Sequence, residues 1–121
     1  MADPFFDTNI LIDWLNDSPK AIAELSRYSR HRISRLVWTE LLAGEPLEQR
    51  STLQQILSPF EVIEIDARIA AAAADIRFRR RMKLMDAYIL ASAQVNGAIL
   101  ITRNTKDFPA EMPGIRVPYS L

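Results

Sequence analysis

The stretch Leu84–Phe108, LMDAYILASAQVNGAILITRNTKDF, decides the fold. It opens on an apolar segment long enough for a helix, stops at Asn96-Gly97, and continues into Ala98–Ile101, which is apolar throughout. A glycine just past a helix takes the left-handed turn that ends it. A strand with no polar alternation is buried on both faces, and that is the signature of a parallel sheet covered by helices. The polar run Thr102-Arg103-Asn104-Thr105-Lys106-Asp107 then follows the strand, at the end where such sheets bind ligands.

The rest of the chain repeats this alternation. Phe5-Phe6 reads as a short buried strand, and Thr8 or Asn9 opens a helix with Leu11, Trp14 and Leu15 on one face. Ser18-Pro19 begins a second helix running to about Tyr28, and Arg32–Ser34 is a strand. Ser34 caps a helix over 35–44, a short helix covers 51–57, and Val62–Ile65 is a strand. Asp66 caps an alanine-rich helix over 67–81, Asp86 opens the next helix, and Arg116-Val117 forms an edge strand. Strands alternating with helices predict an α/β fold with a parallel sheet.

Composition narrows the function. A chain of 121 residues is one domain's length, and at 49% hydrophobic residues it can build a core. Fifteen acidic residues balance fifteen basic ones, which excludes a uniformly cationic nucleic-acid binder and leaves local patches. There is no cysteine and only His31, which removes disulfides, thiolate chemistry and multi-histidine metal sites. No apolar run approaches the roughly 20 residues of a membrane span, and no signal segment is visible, so a cytoplasmic protein is expected.

What remains for chemistry is carboxylates. Asp7 directly follows the first strand, where it serves either as a helix cap or as a site acid. Glu40 falls between Leu36 and Val37 on a helix that is apolar almost all round, which predicts a buried acid held by an arginine or by a cation. Asp86 heads an apolar helix, either as its cap or as another site acid. Acids gathered at one rim repel one another until a hard divalent cation relieves them, and oxygen ligands suit Mg²⁺ or Mn²⁺. Arg77, Arg79, Arg80, Arg81 and Lys83 lead up to Asp86 and are candidates for phosphate contacts; Arg30, His31, Arg32 and Arg35 form a second basic stretch. His31 reads as an exposed turn residue. A phospho-acceptor domain also gathers acids at a sheet rim, but here Asp7 stands alone before Thr8-Asn9 and Glu40 lies inside a helix.

Four motifs in order, DTNILID at 7–13, WTELLAG at 38–44, LMDAYILASA at 84–93 and ITRNTKDF at 101–108, resemble those of the PIN-domain ribonucleases, and within them the VapC-type toxins of type II toxin–antitoxin pairs. The resemblance implies a single PIN domain over 1–121, with a three-layer α/β/α fold around a central parallel sheet of four or five strands. It implies a Mg²⁺- or Mn²⁺-dependent endoribonuclease. Asp7, Glu40 and Asp86 fall on family acid positions and on the metal; the fourth acid is Asp107, or Asn104 takes its place as a neutral ligand. Thr8, Asn9, Thr102 and Asn104 match supporting or substrate-contact positions, and Arg80, Arg81 and Lys83 are assigned to substrate phosphates. The implied partners are RNA, a cognate antitoxin, a second copy of the chain, and DNA only through the antitoxin; the Ala70, Ala71, Ala73 and Ala74 face would allow close packing against that copy or, equally, within the monomer. Trp14, Leu15, Trp38 and Leu42 are candidates for the antitoxin groove. The competing reading is a non-catalytic, metal-containing RNA-binding or scaffolding PIN module.

Overall fold

The computed structural model describes residues 3–121. Five short strands form one parallel sheet: β1 (Phe5–Phe6), β2 (Arg32–Ser34), β3 (Glu61–Ile63), β4 (Leu100–Ile101) and β5 (Ile115–Arg116), in the order β3-β2-β1-β4-β5. Phe5 pairs with Arg32 on one side and with Leu100 on the other, and Ile101 pairs with Arg116. Between the strands run α1 (Thr8–Leu15), α2 (Pro19–Ser26), α3 (Arg35–Ala43), α4 (Arg50–Leu57), α5 (Ala67–Arg80) and α6 (Leu84–Val95), with a 3-10 turn at Leu47–Gln49 before α4. The architecture is a three-layer α/β/α sandwich.

The sheet's central strands are buried on both faces, as their apolar sequence requires. Phe5, Phe6, Ile33, Leu100 and Ile101 are essentially inaccessible, and Ile10, Leu11, Val37, Leu90 and Phe108 complete the core around them. The edge strands β3 and β5 are only half-buried. Among the described residues no helix is long and apolar enough to cross a membrane.

Several element ends differ from the sequence reading, and the reasons are local. The strand expected at Val62–Ile65 lies at Glu61–Ile63, and the last strand lies one residue earlier than expected. Hydrophobicity marks a strand, but the ladder to its neighbour sets its ends: β3 begins opposite Arg32. The helix placed over 67–81 stops at Arg80, because Arg81 adopts a left-handed backbone with φ 53° and caps it. The sixth helix begins at Leu84, so Asp86 does not cap it but sits in its first turn, with its carboxylate left for other work. Helix α3 is not apolar all round in place: Val37, Leu41 and Leu42 are buried, while Thr39, Glu40 and Ala43 face solvent. The alanine face of α5 divides: Ala73 is buried and Ala70 half-buried within the chain, while Ala71 and Ala74 are exposed.

Candidate active site

The pairing of β1 with β4 brings two loops side by side at the carboxyl end of the sheet. The Asp7 N–H donates to the Ile101 carbonyl at 2.9 Å, and the Thr102 N–H donates to the Arg116 carbonyl at 3.0 Å. Asp7 is 5% exposed. Its Oδ1 accepts the Thr8 N–H at 2.8 Å, so Asp7 does cap α1. Its Oδ2 also accepts the Thr102 hydroxyl at 2.8 Å and the Asn9 amide at 3.2 Å. Burial nevertheless outweighs these donors and holds the Asp7 carboxyl above the usual carboxylate range, with the Asp107 charge adding to the shift.

Asn9 and Thr102 tie the site to the following loop. The Asn9 Nδ2 also donates to Thr102 Oγ1 at 3.2 Å, while its Oδ1 accepts the Arg103 N–H at 3.0 Å. Thr102 Oγ1 in turn accepts the Asn104 N–H at 3.0 Å. Asn104 then donates through Nδ2 to Asp107 Oδ2 at 2.9 Å, and its Oδ1 accepts the Asp107 N–H at 3.2 Å. Asn104 therefore faces Asp107 and orients it. That bond, with the nearby Lys83 and Lys106, holds the Asp107 carboxyl below its ordinary range. Lys83 Nζ lies 3.7 Å from Asp107 Oδ2.

Asp86 has the opposite environment. Desolvation lifts its carboxyl to about 6, and the charges of Asp107, Asp7 and Glu40 push the same way, with only Lys83 opposing. Four acids from four separate segments therefore sit within electrostatic reach of one another. Glu40 is reached from α1, since the Thr8 hydroxyl donates to its Oε1 at 3.1 Å. Glu40 is exposed, which corrects the expectation of a buried acid: the helical wheel located its face, but that part of α3 meets the site opening and not the core.

Among the described residues no three acidic or imidazole side chains are grouped closely enough to hold an ion as they stand. Asp7, Glu40 and Asp107 are each turned to a protein donor. The chemistry of the set nonetheless suits a hard cation: every donor is oxygen, and Asp86 carries a destabilised charge that one adjacent lysine does not offset.

The basic stretches divide. Arg80, Arg81, Lys83 and Lys106 line an open cleft of about 370 Å³ that also contains Asp107. The second stretch is committed to structure. Arg30 lies 3.6 Å from Asp3 and 3.7 Å from Glu61. Arg32 donates to the Asp3 carbonyl and covers the Phe5 ring, and Arg35 pairs with Glu64 above Trp38. His31 is not an exposed turn residue: its ring lies between Phe6 and Phe60, and its Nε2–H donates to the Leu25 carbonyl at 2.7 Å. Of the expected groove residues, Leu42 is buried and Trp38 lies under Arg35. Leu15 lines a shallow apolar groove with Ile12, Leu41 and Gly44 that borders Glu40, and Trp14 and Leu15 line a second with Ile22 and Ile56.

Two buried ion pairs had no expectation from sequence. Asp13 accepts Arg103 Nε at 2.6 Å, Arg103 Nη2 at 2.9 Å and the Tyr119 hydroxyl at 2.8 Å. Glu24 accepts Arg116 at 2.7 and 3.0 Å and Tyr28 at 3.1 Å. Asp13 stands beside Ile10, Leu11 and Trp14, and an acid on an apolar stripe is a signal that a partner exists. The partner lies 90 residues away, and nothing local names it.

Residues 5–110 match the PIN domain family. No curated protein matches the chain. Among solved structures, it is similar to a chain in a toxin–antitoxin complex from Klebsiella pneumoniae, at 39% identity over 98% of this chain and 100% of that one, with a TM-score of 0.92. It is also similar to a chain of FitAcB from Neisseria gonorrhoeae, at 25% identity over 97% and 99% of the two chains, with a TM-score of 0.80. A chain of DNA-bound VapBC from Salmonella typhimurium aligns at 25% identity over 96% of each, with a TM-score of 0.79.

Proposed function

The chain belongs to the PIN-domain family, and from that premise we propose that it is the VapC-type nuclease toxin of a toxin–antitoxin pair, hydrolysing RNA phosphodiesters at the carboxylate rim. The observation that supports this reading is the hydrogen-bonded chain from Asp7 through Thr102 and Asn104 to Asp107, with Thr8 reaching Glu40, beside an Asp86 whose carboxyl is raised first by burial and then by those three charges. The whole of 1–121 is read as one PIN domain.

Asp7 and Asp86 would hold a Mg²⁺ or Mn²⁺ ion, with Glu40 completing the set. When bound, such an ion stabilises charge on the scissile phosphate and lowers the pKa of a water. The residues around it supply the rest. Thr102, Asn9 and the Thr8 N–H fix the Asp7 carboxylate in orientation. Glu40 would complete that set or orient the attacking water, and the Asp107 carboxylate, aimed by Asn104, would help hold that water. Arg80, Arg81 and Lys83 take the substrate phosphates in the cleft that holds Asp107. No covalent intermediate is part of this reading: the Thr8 and Thr102 hydroxyls are read as supports that donate to Glu40 and Asp7.

Partners follow from the relatives. The Klebsiella protein is part of a toxin–antitoxin complex, and the Salmonella VapBC is bound to DNA. A cognate antitoxin would therefore cover the apolar groove that borders Glu40, and operator DNA would be contacted through that antitoxin. A second copy of the chain is the remaining partner in this reading.

The test is to incubate the pure chain with total cellular RNA in Mg²⁺, Mn²⁺ or chelator, and to map the cut ends. Cleavage should need the metal and vanish in Asp7→Asn. Metal-independent cleavage refutes the mechanism. RNA binding without turnover in either metal favours the non-catalytic, metal-containing RNA-binding or scaffolding module.

A further inference from the structure

Phe78 is the most exposed large apolar side chain among the described residues, at 86%. It stands on the last turn of α5 between Arg77 and Arg81, and the three line an open cleft. An aromatic ring left in water beside two guanidinium groups has the composition of a surface that stacks a planar, electron-rich partner. The neighbouring charges point to what that partner is attached to. Arg79 is paired with Asp75 at 2.9 Å, and Arg77 donates to the Met82 carbonyl at 2.9 Å. Arg80, Arg81 and Lys106 have no carboxylate within ion-pair distance among the described residues, and they line the cleft that runs to Asp107. The left-handed Arg81 makes the corner between the two clefts. A non-glycine residue holds that backbone only where the surrounding structure imposes it.

We propose that Phe78, flanked by Arg77 and Arg81, is a stacking platform for an unpaired base of the RNA whose phosphates follow Arg80, Lys83 and Lys106 to the carboxylate rim. The inference rests on the nuclease reading and narrows it to single-stranded RNA, because a duplex hides the base faces that a phenyl ring would meet. Charge complementarity favours this occupant, because Arg80, Arg81 and Lys106 beside the ring have no carboxylate partner among the described residues.

The experiment measures binding of a short single-stranded RNA carrying a fluorescent purine analogue, whose emission falls on stacking, in chelator so that no turnover intervenes. Wild type is compared with Phe78→Ala and Phe78→Tyr, with a duplex of equal length as control and with solution mass recorded for each. Phe78→Ala should bind the single strand about five- to a hundredfold more weakly and lose the quenching, while Phe78→Tyr keeps both. Duplex affinity, thermal stability and mass should not change. The platform is refuted if Phe78→Ala binds single strands like wild type, if duplex binding falls equally, or if the variant's mass drops, which would make Phe78 a contact between copies. A wild-type chain that cleaves RNA under any of those outcomes leaves the nuclease reading standing; one that neither binds nor cleaves refutes both.

Discussion

Replacing Asp13 by alanine should damage this protein more than any single change at the rim, although Asp13 is not proposed to touch substrate. Its carboxylate is 6% exposed and accepts three bonds, two from Arg103 and one from Tyr119. Removing one member of a buried ion pair costs about 3–5 kcal/mol, because the other charge is stranded. Arg103 is 29% exposed and recovers part of its hydration, which brings the expected loss to about 2–3 kcal/mol. Tyr119→Phe removes one hydroxyl bond to the carboxylate and should cost about 1–2 kcal/mol. Against a domain stability of about 5–15 kcal/mol, the Asp13→Ala loss should lower the melting temperature by about 10 °C. Urea unfolding followed by tryptophan fluorescence reads both variants. The double variant Asp13→Ala/Arg103→Ala should be less unstable than the two single losses predict, by about 1–3 kcal/mol. The sign with pH is also set. The paired Asp13 carboxyl lies below its ordinary range, so its contribution is present at neutral pH and fades as pH falls through the carboxylate range. The gap between wild type and Asp13→Ala should therefore close in acid. Additive losses, or a cost for Asp13→Ala under about 1 kcal/mol, would refute the reasoning.

Asp86→Asn should abolish metal-dependent RNA cleavage and yet raise the melting temperature of the chelated protein at pH 7. The wild-type carboxyl titrates at about 6 when folded, so the stability it confers when protonated is lost as pH rises from its unfolded value through about 6. Mg²⁺ or Mn²⁺ should then stabilise the wild type but not this variant in a thermal melt. Thr102→Val takes the hydroxyl from Asp7 and the acceptor from the Asn104 N–H; cleavage should fall by about tenfold or more, and the Asp7 carboxyl should move further upward by carbon NMR titration. Arg116→Ala strands the buried Glu24, also held below its ordinary range by that arginine, and should cost about 2–4 kcal/mol at neutral pH and less in acid.

Much of the rim was legible because it is written in short local stretches. Asp7 follows an apolar dipeptide strand, and Thr102 through Asp107 follow an apolar one, so both had to emerge at the same end of a parallel sheet. Other features needed neighbours. Glu40 was expected in the core because its helix is apolar on paper, but burial depends on what that face meets, and Glu40 meets Thr8 at the site opening. The choice between Asn104 and Asp107 was open in sequence, since both lie in one polar loop; the fold turns Asn104 onto Asp107. His31 reads as a turn residue until Phe6 and Phe60 arrive from other strands and loops to enclose its ring.

The sequence by itself determined the alternation of strands and helices, the parallel sheet and the placing of candidate acids after strands and in helices, because these depend on hydrophobic period and residue type along a few neighbouring positions. Only the tertiary structure decided which charges are buried and with whom. Arg103 and Asp13 are 90 residues apart, and Arg116 and Glu24 are 92 apart. An ion pair at that separation leaves no mark in either local pattern, because its energy exists only after the intervening chain has folded and excluded the water between them.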